Sequence, residues 1–275
     1  MLKTRVITAL ILLAVLLPIL CLLPPIYIGG FFLIALLAAA WEWGRLLTPE
    51  APRAAWIYAL FCLVVISFLL GMQNPAWQFA LLLIAVLFWF FMVPFLLVRG
   101  MNLSLQKLRP FYVVLGLILL PATWFSLVFL RELGLIFLLT TISLVWVADI
   151  GAYFVGKAFG KHKLAVQISP GKSVEGAIGG LLFCYVYAFL CIYYLSFEST
   201  LFGAWTIRFG WIPTLLMVTV LAAFSIFGDL FESQLKRLAG VKDSSHLLPG
   251  HGGVLDRVDA LIPTMPIAAL LAGFV

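Results

Sequence analysis

The sequence predicts an all-α fold, namely a polytopic transmembrane helical protein of about nine spans with a cytoplasmic N-terminus. Its 275 residues are 65% hydrophobic and only 10% charged, whereas soluble domains carry about a quarter charged residues. Apolar runs of about 20 residues, the length that crosses a bilayer as a helix, recur along the whole chain. The alternating segments of a membrane barrel are missing, so helices are expected throughout.

The apolar runs delimit the predicted spans. The first follows Lys3 and Arg5 and lacks the small-residue cleavage site of a signal peptide, so it is expected to be retained. The second is short, and the ninth begins with three charged residues. The nine predicted spans are Val6–Leu23, Ile26–Trp41, Ala54–Leu70, Trp77–Val98, Phe111–Leu130, Gly134–Val155, Gly176–Leu195, Trp211–Gly228 and Val254–Val275.

The basic residues indicate the orientation. With the N-terminus inside, fifteen of the seventeen Lys and Arg residues fall on the cytoplasmic side, and only Arg131 and Arg208 fall outside. This is the distribution that the positive-inside rule describes. Topology thus accounts for the net charge of +6, and no nucleic-acid partner is expected.

The chain changes character near residue 140. Residues 1–140 are apolar helices with sparsely charged loops and are expected to form a scaffold. Residues 141–275 contain all three histidines and most of the acidic residues, so the catalytic region with its cytoplasmic-side polar loops is expected there. The four cysteines lie inside apolar runs without metal-ligand spacing and are interpreted as packing residues.

The first polar segment, residues 149–175, combines Asp149 with four lysines among glycines. An ionisable residue within an apolar span is a functional candidate, because its burial is costly. The lysines favour a mobile cationic loop suited to phosphates, although they could also be ordinary topology-setting charges. Gly171-Lys172-Ser173 is similar to the end of a P-loop, but Val166 stands where that motif requires glycine.

The second polar segment, residues 229–259, predicts a helical hairpin. Its first part has polar residues at helical spacing, so a continuation of the eighth span would line them on one face: Asp229, Glu232, Ser233, Lys236 and Arg237. The glycine-rich run 249–253 must turn the chain. Asp256 and Asp259 then share a face of the returning helix, and the hairpin can bring Asp229 and Asp256 together.

Carboxylates from two helices among basic side chains suit a site for Mg²⁺ and phosphate. A solvated loop with incidental ion pairs is the alternative, but it explains poorly why Asp256 and Asp259 stand at the start of an apolar span. His246 and His251 are candidate ligands or bases. Zinc is not expected, because no cluster of histidine and cysteine is present.

The motif at residues 233–259 resembles the C-terminal motif of the phosphatidate cytidylyltransferase (CDP-diacylglycerol synthase) family. It reads Ser-x-Leu-Lys-Arg-x4-Lys-Asp-x-Ser-x2-Leu-Pro from Ser233, and His-Gly-Gly-Val-x-Asp-Arg-Val-Asp from His251. Residues 149–176 are also similar to the family's upstream polar region. The resemblance implies an integral protein of the bacterial cytoplasmic (inner) membrane that converts CTP and phosphatidate to CDP-diacylglycerol and pyrophosphate.

The resemblance also implies site residues, cofactors and partners. Asp229 and Asp256 are expected to bind Mg²⁺, with a second cation as a further expectation, and Asp149, Asp243 and Asp259 are further candidates. Lys236 and Arg237 are expected to act with Asp229 and Asp256 as catalytic residues, by contacting phosphates. The expected substrate-binding residues are Lys157, Lys163, Ser169, Lys172, Lys242, His251 and Arg257. The family also implies a homodimer in contact with membrane lipids.

Two other functions compete with this interpretation. A transporter would also place charges among broken helices, but here they lie at the ends of spans and the two halves show no repeat. A lipid or polyprenol kinase that uses CTP is the nearest chemical alternative. The Asp-x-x-Asp-Gly-x-x-Ala-Arg pattern of CDP-alcohol phosphotransferases is absent from the sequence.

Overall fold

A computed structural model describes residues 14, 18–72, 74–273 and 275 of the chain. Its helices and strands are α1 (Pro25–Leu47), α2 (Pro52–Gly71), α3 (Pro75–Asn102), α4 (Leu105–Leu133), α5 (Leu135–Phe159), β1 (Lys163–Ala165), β2 (Ser169–Ser173), α6 (Val174–Tyr194), α7 (Leu201–Phe209), α8 (Trp211–Leu238), α9 (Leu255–Val258) and α10 (Leu261–Ala272). The chain is an all-α polytopic membrane protein, as predicted, apart from one small β-hairpin.

Seven of the described helices are long and apolar enough to cross a membrane: α1 to α6 and α8. They correspond to the second through eighth predicted spans. The first, Val6–Leu23, lies largely outside the described residues. The ninth, Val254–Val275, is divided into α9 and the 12-residue α10, which at 1.5 Å per residue is only about 18 Å long. The predicted number of nine spans is therefore not confirmed.

Burial separates central helices from peripheral ones. About 67% of the apolar window of α4 is buried, compared with 22% in α3. The outer helices expose large apolar side chains such as Trp56 of α2 and Phe91 of α3, as expected where a helix faces lipid. The short helix α10 packs against α4 and α8, so it belongs to the interior of the bundle.

Sequence signals mark several helix ends. Proline occupies the first position of α1, α2 and α3, where its missing N–H removes no intrahelical hydrogen bond. Ser173 caps α6, because its hydroxyl accepts a hydrogen bond from the Gly176 N–H at 3.1 Å. Gly210 separates α7 from α8 with φ +84°, a conformation that favours glycine.

Helices α5 and α6 pack closely because glycines line the contact. A Cβ atom at Gly176 would lie 2.8 Å from the Ala152 carbonyl oxygen, and one at Gly180 would lie 2.7 Å from that of Ala148. Small residues let two membrane helices approach until their backbones touch. This approach holds the β-hairpin, which connects the two helices, against the end of the bundle.

Candidate active site

A cavity of about 750 Å³ opens between the last turns of α5, the β-hairpin, the start of α6, and Ile226 and Asp229 of α8. Six side chains singled out from the sequence line it: Asp149, Lys157, Lys163, Ser169, Lys172 and Asp229. The segment predicted as a mobile loop is in fact the last turns of α5 followed by β1 and β2. The hairpin pairs antiparallel, with Lys163 opposite Ser173.

Asp229 forms the polar floor of this cavity together with Lys172. The Lys172 Nζ atom lies 2.6 Å from Asp229 Oδ2, and both side chains remain partly exposed. The Ser233 hydroxyl, one turn further along α8, donates to Asp229 Oδ1 at 3.2 Å. Asp149 and Asp259 interact electrostatically with the same carboxylate, so negative charge is concentrated here.

The cavity also has an apolar side. Ile226 of α8 and Tyr153 of α5 line it, and Tyr153 is 61% exposed on the outside of the bundle. The Lys157 ammonium group lies 5.9 Å from the centre of the Tyr153 ring. Cationic and apolar surfaces therefore meet at the point where the cavity reaches the lipid-facing side of α5.

Asp256 lies in a different set of contacts, outside the lining of this cavity. Its Oδ1 atom pairs with Lys236 Nζ at 2.5 Å, and its Oδ2 atom accepts from the Ser244 N–H, the Ser244 hydroxyl and the Gly253 N–H at 3.1, 2.9 and 2.7 Å. Burial raises the pKa of Asp256, but the hydrogen bonds from Lys236 and Gly253 outweigh it and hold the pKa below its ordinary value.

The predicted hairpin is present in outline. Helix α8 continues to Leu238, as expected, and residues 249–253 turn the chain, with Gly250 and Gly252 at φ +77° and +78°. Asp256 lies in the four-residue helix α9, whereas Asp259 follows the end of that helix. Asp229 pairs with Lys172 and Asp256 with Lys236, so the structure brings the two aspartates to neighbouring ion pairs with no partner in common.

The remaining predicted residues lie in or beside the loop after α8. The Arg237 guanidinium donates to the Val241 carbonyl oxygen at 3.1 Å, and Arg257 Nε donates to that of His251 at 3.1 Å. Lys242 and Asp243 are exposed in the same loop. None of these five residues lines the cavity.

Comparisons with known proteins identify the family of the chain. A model of the cytidylyltransferase family matches residues 3–275. The chain belongs to the cytidylyltransferase family. It is 40% identical over 284 aligned residues to a Pseudomonas aeruginosa protein named phosphatidate cytidylyltransferase, covering 98% of this chain and 97% of that relative. A Haemophilus influenzae protein of the same name is 37% identical over 299 residues, which cover both chains completely.

A shorter match falls within the same family. A Staphylococcus aureus protein, also named phosphatidate cytidylyltransferase, is 43% identical over 142 residues, or 51% of this chain and 50% of that relative. The family resemblance drawn from the motif is confirmed, and with it the assignment of the chain as a nucleotidyltransferase.

The residues fit a divalent cation in charge and ligand type. We call Asp149, Asp229, Glu232, Asp256 and Asp259 the carboxylate cluster. Among the described residues, its direct ion pairs are with two lysines, Lys172 and Lys236. Glu232 Oε2 pairs with the Lys236 ammonium group, whereas its buried Oε1 has no hydrogen-bond partner among the described residues. Carboxylate oxygens are the donors that Mg²⁺ prefers.

The two expected ligands do not fit the cation equally well. Asp229 lines the cavity, and each of its oxygens has one donor, from Lys172 or Ser233. Asp256 lies outside that lining, and four protein donors already engage its two oxygens. Among the described residues, no group of three or more His, Cys, Asp or Glu side chains is placed to hold a metal ion by itself. Mg²⁺ is commonly held by one or two carboxylates together with substrate phosphates, which suits this arrangement.

Sequence analysis missed Glu42, the acidic residue that ties the loop after α8 to helix α1. Glu42 is fully buried and accepts hydrogen bonds from four donors in residues 244–255. A signal was available, because an acidic residue between two tryptophans in an apolar run is costly to bury. Glu42 falls within residues 1–140, which were predicted to be scaffold, so it was not among the predicted site residues.

Proposed function

We propose that this chain transfers the cytidylyl group of CTP to phosphatidate, producing CDP-diacylglycerol and pyrophosphate at the cytoplasmic boundary of the membrane. The single observation that carries the proposal is the cavity in which Lys157, Lys163 and Lys172 meet Asp229 beside an apolar wall. Family membership supplies the nucleotidyl-transfer class. The names of the relatives suggest phosphatidate as the acceptor.

The cavity has a cationic side and an apolar side, which together suit an acceptor that carries both a phosphate and a lipid chain. The lysines would neutralise phosphate oxygens, while Tyr153 and Ile226 offer apolar surface at the edge of the bundle. A soluble acceptor would gain nothing from that apolar edge. A transporter would need a pathway through the membrane, whereas this cavity is lined mainly by the last turns of α5, the β-hairpin and the start of α6.

The proposed reaction forms one bond and breaks another. A phosphate oxygen of phosphatidate attacks the α-phosphorus of CTP, and the bond from that phosphorus to the oxygen bridging the β-phosphorus breaks. Pyrophosphate leaves with the electron pair of that bond. Because the nucleophile is already anionic, positioning and charge neutralisation by the lysines suffice, and no strong general base is required.

Magnesium is the proposed cofactor, with the second cation kept as a further prediction. Asp229 would hold it, with Asp256 as the second proposed ligand, kept in position by its hydrogen bonds to Ser244 and Gly253. Bound Mg²⁺ neutralises charge on the phosphates of CTP. Lys172 contacts Asp229 in the structure, so it is placed to move onto a substrate phosphate when a cation takes over its charge-balancing role.

The proposed orientation rests on the positive-inside distribution of the basic residues, which favours a cytoplasmic location for the cavity, where CTP is available. The proposed location is the bacterial inner membrane, and the proposed assembly is a homodimer, as the family resemblance implies. Residues 1–140 are proposed as scaffold, with Glu42 as an exception.

A product assay tests the proposal. Purified protein receives Mg²⁺, phosphatidate and CTP labelled on either its α- or its γ-phosphate. Label from the α-phosphate should appear in a CDP-lipid, and label from the γ-phosphate should appear in pyrophosphate. Transfer of the γ-label to the lipid with release of CDP would instead identify a kinase, and neither product would form in a transporter.

A further inference from the structure

Glu42 places a carboxylate from helix α1 inside the loop that carries Asp256. The Ser244 hydroxyl lies 3.1 Å from Glu42 Oε2, and the Ser245 hydroxyl donates to Oε1. The Val254 and Leu255 N–H groups donate to the same carboxylate at 3.0 and 2.5 Å. Four donors surround one fully buried carboxylate. Because buried polar groups require hydrogen-bond partners, this contact fixes the loop after α8 to helix α1.

One hydroxyl connects Glu42 to Asp256. The Ser244 Oγ atom lies 3.1 Å from Glu42 Oε2 and 2.9 Å from Asp256 Oδ2, so its single proton can serve either carboxylate. Gly253 allows this approach, because a Cβ atom at that position would overlap the side chains of both Ser244 and Glu42. Glycine at position 253 therefore leaves room for the contact between Ser244 and Glu42, which lies about 200 positions earlier in the chain.

Glu42 also determines where the helix bearing Asp256 begins. Leu255 is the first residue of α9, and its N–H group and that of Val254 have no carbonyl partner within the helix. The Glu42 carboxylate supplies the acceptors that these first N–H groups lack. Displacement of Glu42 would release the backbone immediately before Asp256.

We infer that Glu42 is a positioning residue for the reaction: it acts through Ser244 and the start of α9 to hold Asp256 in place. The inference rests on the proposed function, because it takes Asp256 as part of the reacting site. Glu42 is fully buried and does not line the cavity. Its effect should therefore appear in the rate of transfer and not in the binding of CTP.

The central test is Glu42→Gln, compared with Glu50→Gln. Glu50 lies eight positions away, is exposed and pairs with Arg109, so the control makes the same chemical change outside the network. Loss of a group that orients a ligating residue typically lowers activity about 10- to 100-fold. We expect kcat to fall by that factor in Glu42→Gln, with KM for CTP within about threefold of wild type. Glu50→Gln should match wild type in both.

A measurement independent of activity accompanies the kinetics. Hydrogen–deuterium exchange of the peptide covering residues 242–258 should accelerate in Glu42→Gln, because the Val254 and Leu255 amides lose their acceptor. It should not change in Glu50→Gln. If the wild type forms CDP-lipid and Glu42→Gln retains both its kcat and its exchange rate, the inference is wrong while the proposed function stands.

If the wild type forms no CDP-lipid, the proposed function fails, and the exchange rates still decide whether Glu42 holds the loop. A merely structural role would reduce the yield of folded Glu42→Gln but leave kcat per folded enzyme unchanged, and that outcome would also overturn the inference.

Two serines form a matched pair that does not depend on the folding of Glu42→Gln. Both hydroxyls contact Glu42, but only that of Ser244 also contacts Asp256. Ser244→Ala should lower kcat more than Ser245→Ala. The double variant Glu42→Gln/Ser244→Ala should lose little beyond the larger single loss, because the two residues act in one network. Equal effects of the two serines, or fully multiplicative losses, would contradict action through Ser244.

Discussion

Lys236 offers the sharpest stability prediction. Its ammonium group contacts both Glu232 and Asp256, with the Asp256 oxygen at 2.5 Å, and its side chain is only 11% exposed. Lys236→Met keeps most of the apolar stem but leaves two buried acidic groups without their cation. Breaking a buried ion pair from one side costs about 3–5 kcal/mol. That is roughly a hundredfold to several-thousandfold shift toward the unfolded state.

An exposed ion pair supplies the control for this prediction. Arg109 pairs with Glu50 at 2.7 Å, with side-chain exposures of 35% and 58%, so Arg109→Met should cost about 0–1 kcal/mol. Thermal unfolding in detergent, followed by tryptophan fluorescence, compares the two variants. Adding Glu232→Gln to Lys236→Met should recover part of the lost stability, because it removes one of the two buried carboxylates that no longer have a cationic partner. Equal midpoints for Lys236→Met and Arg109→Met would refute the buried-pair reasoning.

The remaining predictions concern catalysis and packing. Asp229→Asn should abolish CDP-lipid formation in the CTP assay while the protein stays folded in membranes, and normal turnover would remove Asp229 from the site. Asp256→Asn should do the same, and near-normal activity would exclude it as a metal ligand. Lys172→Ala should raise KM for CTP by about tenfold, since it removes a charge-assisted phosphate contact, and an unchanged KM would contradict that role. Gly180→Val should reduce the yield of folded protein, because its Cβ would lie 2.7 Å from the Ala148 carbonyl oxygen; normal expression would contradict close packing of α5 and α6.

Much of the fold was predictable because the bilayer imposes a simple rule on composition. Apolar runs of spanning length identified the seven long helices, and the helical spacing of Asp229 through Arg237 correctly predicted that α8 continues beyond its apolar part. The division of residues 254–275 into α9 and α10 was not predictable from hydropathy, which does not distinguish a buried short helix from a span. The β-hairpin was missed because its strands contain only three and five residues.

The site was predictable in its membership but not in its pairings. Polar residues that interrupt an apolar chain were recognisable individually, and six of them do line one cavity. Sequence spacing does not determine which lysine faces which carboxylate. The assignment of Lys172 to Asp229 and of Lys236 to Asp256 therefore depends on how α8 is rotated against the hairpin. Glu42 escaped notice because its partners are about 200 residues distant in the chain.

That distance has a consequence for the time course of synthesis. A ribosome adds about 5–20 residues per second, so roughly 10–40 s separate the appearance of Glu42 from that of Ser244 and Ser245. During this interval helix α1 contains a carboxylate whose partners have not yet been made, and hydration at the bilayer surface is the available substitute. Helix α1 is among the first segments to be synthesised but among the last to reach its final surroundings. Insertion of the chain and maturation of its active site are therefore separate events, joined when the last segments reach Glu42.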